Sequence, residues 1–180
     1  MTTLDVVFRS MARLNDFRSV IIKPGGMGRG RVVRASWKPP PHDIVKINVD
    51  GSFILGTHSG STGFVIRDNL GSFLACRGHA HKGVVSVDHV EVLACKQAIV
   101  FAIASNFQPA IIETDAQVVY LQLINHHQAN LSILGRLYDD IGSMIQDSGS
   151  VRIMHTKRSA NRMTHLVADS VIVGTRICHF

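Results

Sequence analysis

The sequence predicts an α/β fold, with a five-stranded mixed sheet (an antiparallel meander plus two parallel strands) flanked by helices. Three observations predict it. The first is the alternation in Ile44-Val45-Lys46-Ile47-Asn48-Val49-Asp50-Gly51-Ser52, where Val45, Ile47 and Val49 face one way and Lys46, Asn48 and Asp50 the other. The second is a pair of strand-like segments, 61–67 and 72–79, joined by the strong turn signal Asp68-Asn69-Leu70-Gly71. The third is the switch from residue 88 onward to helical periodicity interleaved with short apolar strands, the pattern of βαβ units.

Taken in order, residues 1–36 read as a basic, Gly-containing N-terminal arm or linker, and residues 37–180 as the folded domain. Three glycines in Gly25-Gly26-Met27-Gly28 suggest a phosphate cradle, but no Gly-Lys-Ser/Thr follows and no strand precedes them, which favours a flexible linker. Trp37-Lys38-Pro39-Pro40-Pro41 is a stiff extended lead into the first strand. After that strand, 54–60 reads as a polar loop and 82–87 as another. Val90, Leu93, Ala94, Ala98, Phe101 and Ala102 fall at steps of three and four, predicting a helix over 88–107. A strand at 110–114 follows, then helices at 116–125 and 131–147, a fifth strand at 151–156, and a last helix beginning near Ala160.

The formal charge of +6 is unevenly spread. Residues 1–38 hold eight Lys/Arg against two acids, whereas the remainder is balanced at eleven of each. A basic lead on a neutral body suggests an arm attracted to a polyanion, the alternative being a solvated tail. Cys76, Cys95 and Cys178 lack metal-ligand spacing, and the first two read as core thiols in a reducing compartment. No apolar run approaches the roughly 18 residues of a membrane span, so no membrane partner is expected. The expected location is intracellular, nuclear or cytoplasmic. The Arg-rich, acid-poor start faintly resembles an organelle transit peptide, which Asp5 and Asp16 weaken, and organellar import stays open.

Three acids stand at informative places. Asp50 closes the first strand, Glu91 lies near the start of the first long helix, and Asp115 follows the fourth strand. With strands one and four parallel neighbours, Asp50 and Asp115 share the carboxyl-end edge where open α/β sheets bind ligands. Singly, these acids are a turn residue, a helix N-terminal charge and an N-cap. Together, without a Lys or Arg among them, they need cations, as a hard oxygen-seeking Mg²⁺ or Mn²⁺ site does.

The chain resembles the type 1 ribonuclease H domain, in the form found in plant non-LTR retroelements and stand-alone plant proteins. The resemblance rests on Trp37-Lys38-Pro39-Pro40, Lys46-Ile47-Asn48-Val49-Asp50-Gly51-Ser52, Gly63-Phe64-Val65-Ile66-Arg67-Asp68 and Glu91-Val92-Leu93-Ala94, and then on Glu113-Thr114-Asp115-Ala116-Gln117 and the stretch from His155 to His165. It covers 37 to about 173. It implies a metal-dependent endonuclease that hydrolyses the RNA strand of RNA–DNA hybrids. Asp50, Glu91 and Asp115 match the family's metal-binding carboxylates, holding one or two Mg²⁺ or Mn²⁺ ions; a two-ion site would place them about 3.5–4 Å apart, activating water and stabilising the leaving oxygen. Gln117 matches a minor-groove contact, and Gly51 and Ser52 match positions near the RNA 2′-hydroxyls.

The family's fourth carboxylate, counted from Asn161, is replaced here by His165, a substitution common in the plant branch. Imidazole suits softer metals than Mg²⁺, so His165 is a candidate catalytic residue as a weak ligand or proton shuttle, or else a plain polar residue of the helix face. Asp169 is one turn further on and would reach the site only if the helix were shifted. Lys157, Arg158 and Arg162 offer a basic cluster for nucleic-acid phosphates. The family carries a histidine that aids product release in a loop before the last helix, and His155, at the end of the fifth strand, either matches it or is a plain strand residue; Asp88 places a negative charge where relatives often carry an Asn facing the hybrid. His79/His81 and His126/His127 read as surface pairs. The competing reading is a weak or inactive retroelement-derived module that binds nucleic acid or a protein partner without cutting.

Overall fold

The computed structural model describes residues 36–125 and 132–172, with side chains described up to Asp169. The arm over 1–35, the His126/His127 pair and Cys178 lie outside the described residues. Five strands, β1 (Val45–Ile54), β2 (Ser59–Arg67), β3 (Phe73–Lys82), β4 (Ala110–Thr114) and β5 (Val151–His155), form one sheet in the order β3-β2-β1-β4-β5. The β1/β2 and β2/β3 pairs are antiparallel, and β1/β4 and β4/β5 are parallel. Among the described residues the helices are α1 (Val87–Ala104), α2 (Gln117–Ile124), α3 (Gly135–Ser148) and α4 (Arg162–Ile172), with a 3₁₀ turn at Arg158–Ala160. Among the described residues, no helix is long and apolar enough to cross a membrane.

Alternation along β1 sorts the molecule into layers. Ile47 and Val49 are fully buried in the main core, with Ile112 of β4 and Val92, Cys95, Ile99 and Ala102 of α1. Lys46, Asn48 and Asp50 face the other layer. There α4 covers the Asp50 end: Ser61 Oγ donates to the carbonyl of Ala168 at 2.6 Å. Further along the same face Trp37 closes the sheet. Its indole N–H donates to Asn48 Oδ1 at 2.8 Å, and the Arg67 guanidinium stacks 3.9 Å from the ring centre. Beneath it, Lys46 pairs with Glu113 at 2.7 Å, both nearly buried, and Asn48 Nδ2 donates to the other Glu113 oxygen. The Lys46 and Glu113 charges thereby match each other, as a buried ion pair requires.

Three glycines let the helices approach. A Cβ on Gly51 would lie 2.7–2.8 Å from the α1 backbone at Val90 and Glu91, and one on Gly60 would lie 2.7 Å from Val90. A Cβ on Gly63 would meet the Ala168 amide of α4 at 2.8 Å. The space beside the Gly51 α-carbon is thus filled by a helix.

Several boundaries differ from the sequence expectation. β1 does not end at Asp50 but runs on to Ile54, and β2 starts at Ser59, so the expected polar loop shrinks to four residues. Continued antiparallel pairing, Asp50↔Gly63 through Ile54↔Ser59, carries both strands outward. β3 extends to Lys82 for the same reason. Helix α1 starts at Val87 behind the Ser86 cap, whose Oγ accepts from the His89 amide, and stops before Asn106, whose φ of 59° is left-handed. α3 begins at Gly135, later than expected, and a 3₁₀ turn precedes α4. Cys76 and Cys95 are both buried.

Candidate metal centre

The parallel ladder of β1 and β4 ends at Asn48↔Glu113, while β1 continues beside β2. A notch therefore opens next to Asp50 and Gly51, in mid-strand, and β4 delivers Asp115 to it from just beyond Thr114. Glu91 enters from the opposite layer. It is the fifth residue of α1, deeper than the first turn, and reaches through the notch because Gly51 offers no side chain. The Gly51 amide, left without a β4 partner, donates to the Glu91 carboxylate.

One ligand oxygen from each of Asp50, Glu91 and Asp115 lies within 4.8 Å of the others, and no other group among the described residues meets that description. Asp50 and Glu91 are 3% and 8% exposed, so two of the three carboxylates are desolvated. Burial pushes Asp50 up to about 6, opposed by the hydrogen bond from His165 and aided by the Asp115 charge. Burial and the charges of Asp50 and Asp115 push Glu91 up to about 9, against the Gly51 amide and Arg158. Glu91 Oε2 is buried without a hydrogen-bond partner. A desolvated, unpartnered carboxylate oxygen facing two further carboxylates is the donor set of a hard divalent cation, and the residues fit such an ion.

Asn161, in the sequence only a counting mark, ties the site together. Its Nδ2 donates to Val49 O at 2.7 Å and to Asp115 Oδ1 at 2.9 Å, bridging β1 to Asp115 where the ladder has stopped. Its position immediately before α4 was the available signal; the partners, 112 and 46 residues away, were not. His165 also reaches the cluster, with Nδ1 2.9 Å from Asp50 Oδ2. Asp169, expected to miss the site unless the helix shifted, meets it through His165, whose Nε2 lies 3.2 Å from Asp169 Oδ2.

The remaining candidates surround this centre. Gln117 is exposed as the first residue of α2, two positions after Asp115. Ser52 pairs with Ser61 in mid-strand and is half-buried. Lys157, Arg158 and Arg162 are exposed on both sides of the buried Asn161, and the Arg158 charge lowers both Asp50 and Glu91. The acids are thus not wholly without a cation in reach. His155 lies at the end of β5 with its ring 5.9 Å from that of Tyr120. Asp88 stands half-buried in the first turn of α1. His79 is exposed, but His81 is half-buried and hydrogen-bonded to Thr62 at 3.0 Å and Gln97 at 3.2 Å, so it is not a plain surface residue.

The fold is that of the ribonuclease H class. The RNase H1 of the halophilic archaeon Halobacterium salinarum superposes with a TM-score of 0.66 at 21% identity, covering 73% of this chain and 98% of its own. The N-terminal RNase H domain of a Mycobacterium tuberculosis protein, solved as a fusion with maltose binding protein, gives 0.64 at 17% identity, with 73% and 94% covered. LC11-RNase H1, solved in complex with an RNA/DNA hybrid, gives 0.58 at 14%, with 71% and 99% covered. No match is found among the curated proteins. The family described as reverse transcriptase-like matches residues 48–171, and the chain belongs to that family.

Proposed function

We propose that the protein is a metal-dependent endonuclease that hydrolyses the RNA strand of RNA–DNA hybrids, of the kind carried by plant non-LTR retroelements. The observation that carries this reading is the convergence of Asp50, Glu91 and Asp115 within 4.8 Å, with Glu91 Oε2 buried and unpartnered. The likeness to LC11-RNase H1, which was solved with a hybrid, supports the substrate class.

Each residue has a role in that reading. Asp50, Glu91 and Asp115 hold one or two ions, Mg²⁺ or Mn²⁺. Divalent ions bound there supply an activated water and neutralise charge developing on the phosphate and leaving oxygen. Asn161 keeps Asp115 pointed at Asp50. Lys157, Arg158 and Arg162 offer cations to the strand's phosphates beside the acids. Gln117 and the backbone at Gly51 and Ser52 address the groove and the 2′-hydroxyls, the groups that separate RNA from DNA. Removing one carboxylate forfeits several kcal/mol of charge stabilisation, equivalent to a rate loss on the order of a thousandfold.

The test is product analysis on an end-labelled hybrid with Mg²⁺ or Mn²⁺. The expected products carry 5′-phosphate and 3′-hydroxyl ends, and Asp115→Asn is expected to abolish them. A second reading, a module that binds nucleic acid without cutting, draws on His165, which lies 2.9 Å from Asp50 and which the resemblance puts at the family's fourth carboxylate position. That reading expects hybrid binding to persist in wild type and Asp115→Asn alike, with no cleavage by either.

A further inference from the structure

His165 stands between two carboxylates. On the inner side Nδ1 is 2.9 Å from Asp50 Oδ2, and on the outer side Nε2 is 3.2 Å from Asp169 Oδ2. Asp169 lies four residues on, directly along the α4 face, so the helix itself sets this pair. A neutral imidazole carries one N–H. In the metal-free protein the Nδ1 hydrogen goes to Asp50; a cation bound there would displace it, leaving the one N–H on Nε2 for Asp169 and the Nδ1 lone pair on the Asp50 side. This carboxylate–imidazole arrangement is the one by which metal-ligating histidines fix their tautomer and ring orientation.

The spacing agrees. Adjacent ligands of an octahedral ion with bonds of about 2.1 Å are separated by about 3 Å. Nδ1 and Asp50 Oδ2 are 2.9 Å apart, so these two atoms can serve one ion, linked through Asp50 to the group of three acids to which His165 does not itself belong.

We propose that His165 is a nitrogen ligand of the metal centre, that Asp169 is the positioning residue that orients it, and that the centre consequently selects Mn²⁺ over Mg²⁺. Mg²⁺ takes oxygen donors and keeps its waters, whereas imidazole suits transition metals. The inference rests on the metal-site reading above and deepens it: three carboxylates and one imidazole make a site of different selectivity from four carboxylates.

The experiment is pulsed electron paramagnetic resonance of the full chain loaded with Mn²⁺, with Mn²⁺ and Mg²⁺ affinities measured by calorimetry. Wild type is expected to show the modulation of a directly coordinated ¹⁴N and to bind Mn²⁺ more tightly than Mg²⁺. His165→Asp is expected to lose the ¹⁴N signal, still bind metal, and shift its preference toward Mg²⁺. Asp169→Asn is expected to weaken Mn²⁺ binding by about tenfold or more, and Asp169→Glu to recover part of the loss. A wild-type protein that binds Mn²⁺ without ¹⁴N coupling overturns the inference, as does Asp169→Asn with affinity and coupling unchanged. The wild-type spectrum needs no substitution, so the inference is testable even if a variant fails to fold. Coupling without hybrid cleavage would remove the nuclease reading and leave this one standing. Cleavage without coupling would do the reverse, and failure to bind either ion would overturn both.

Discussion

At the scale of single residues, the carboxylates are destabilising in the metal-free protein, and this has a sign that can be worked out. Glu91 titrates near 4.5 when solvated and is pushed up to about 9 by burial and its acidic neighbours. The folded state therefore holds a proton that the unfolded chain releases above pH 4.5. Stability linked to Glu91 is full below pH 4.5 and is lost as pH rises toward 9; Asp50, raised from 3.8 to about 6, behaves alike over its narrower window. Urea denaturation in EDTA should show declining stability from pH 4.5 upward. Glu91→Gln should stabilise the metal-free protein at pH 7 by roughly 1–3 kcal/mol and flatten that decline. An unchanged pH profile in Glu91→Gln would mean that the carboxylate is better solvated than its burial implies.

At the scale of elements, the site depends on how closely helices press on β1. The Gly51 position tolerates no Cβ, because backbone atoms of Val90 and Glu91 lie 2.7–2.8 Å from where it would sit. Gly51→Ala should cost about 2–3 kcal/mol, since overpacking against backbone cannot be relieved by a side-chain rotation. Gly56, at φ +77° with nothing within 4 Å, provides the contrast, with Gly56→Ala expected to cost only the left-handed backbone penalty of about 1 kcal/mol. Equal melting temperatures for the two variants would refute the packing argument. The period-two alternation of Val45 to Asp50 made the faces of β1 readable, and the apolar steps of α1 made that helix readable. What pairs with what beyond the ladder was not: Asn161 bonds Val49 across 112 residues, and Trp37 covers a Lys46–Glu113 pair drawn from two strands. Local patterns report which face a residue takes. They do not report where a neighbouring strand stops, and the end of β4 is what creates the notch that admits Glu91.

At the scale of the whole molecule, the chain joins a basic lead to a neutral body. The body's cations near the acids are few, chiefly Lys157, Arg158 and Arg162, so the arm over 1–36 is expected to supply much of the electrostatic attraction to nucleic acid. Each phosphate neutralised steepens the dependence of binding on salt by about 0.9 in log–log slope. A chain lacking 1–36 loses seven Lys/Arg and two acids, and its binding to a hybrid should show a slope shallower by about 2 or more. Its unfolding midpoint should be unchanged, because Trp37 and the pocket beneath it are retained. A slope unaffected by the deletion would assign the arm no part in binding.

All three scales meet in one claim, that the notch beside Asp50 is a metal centre built to cut RNA paired with DNA. Its most direct test is strand-specific cleavage by the purified chain, using a hybrid with each strand labelled in turn, in Mg²⁺ and in Mn²⁺, beside Asp50→Asn. The account predicts that wild type cuts the RNA strand, spares the DNA strand, and loses cutting on the order of a thousandfold on the substitution. A wild-type protein that binds the hybrid in both metals and leaves its RNA strand whole would contradict it.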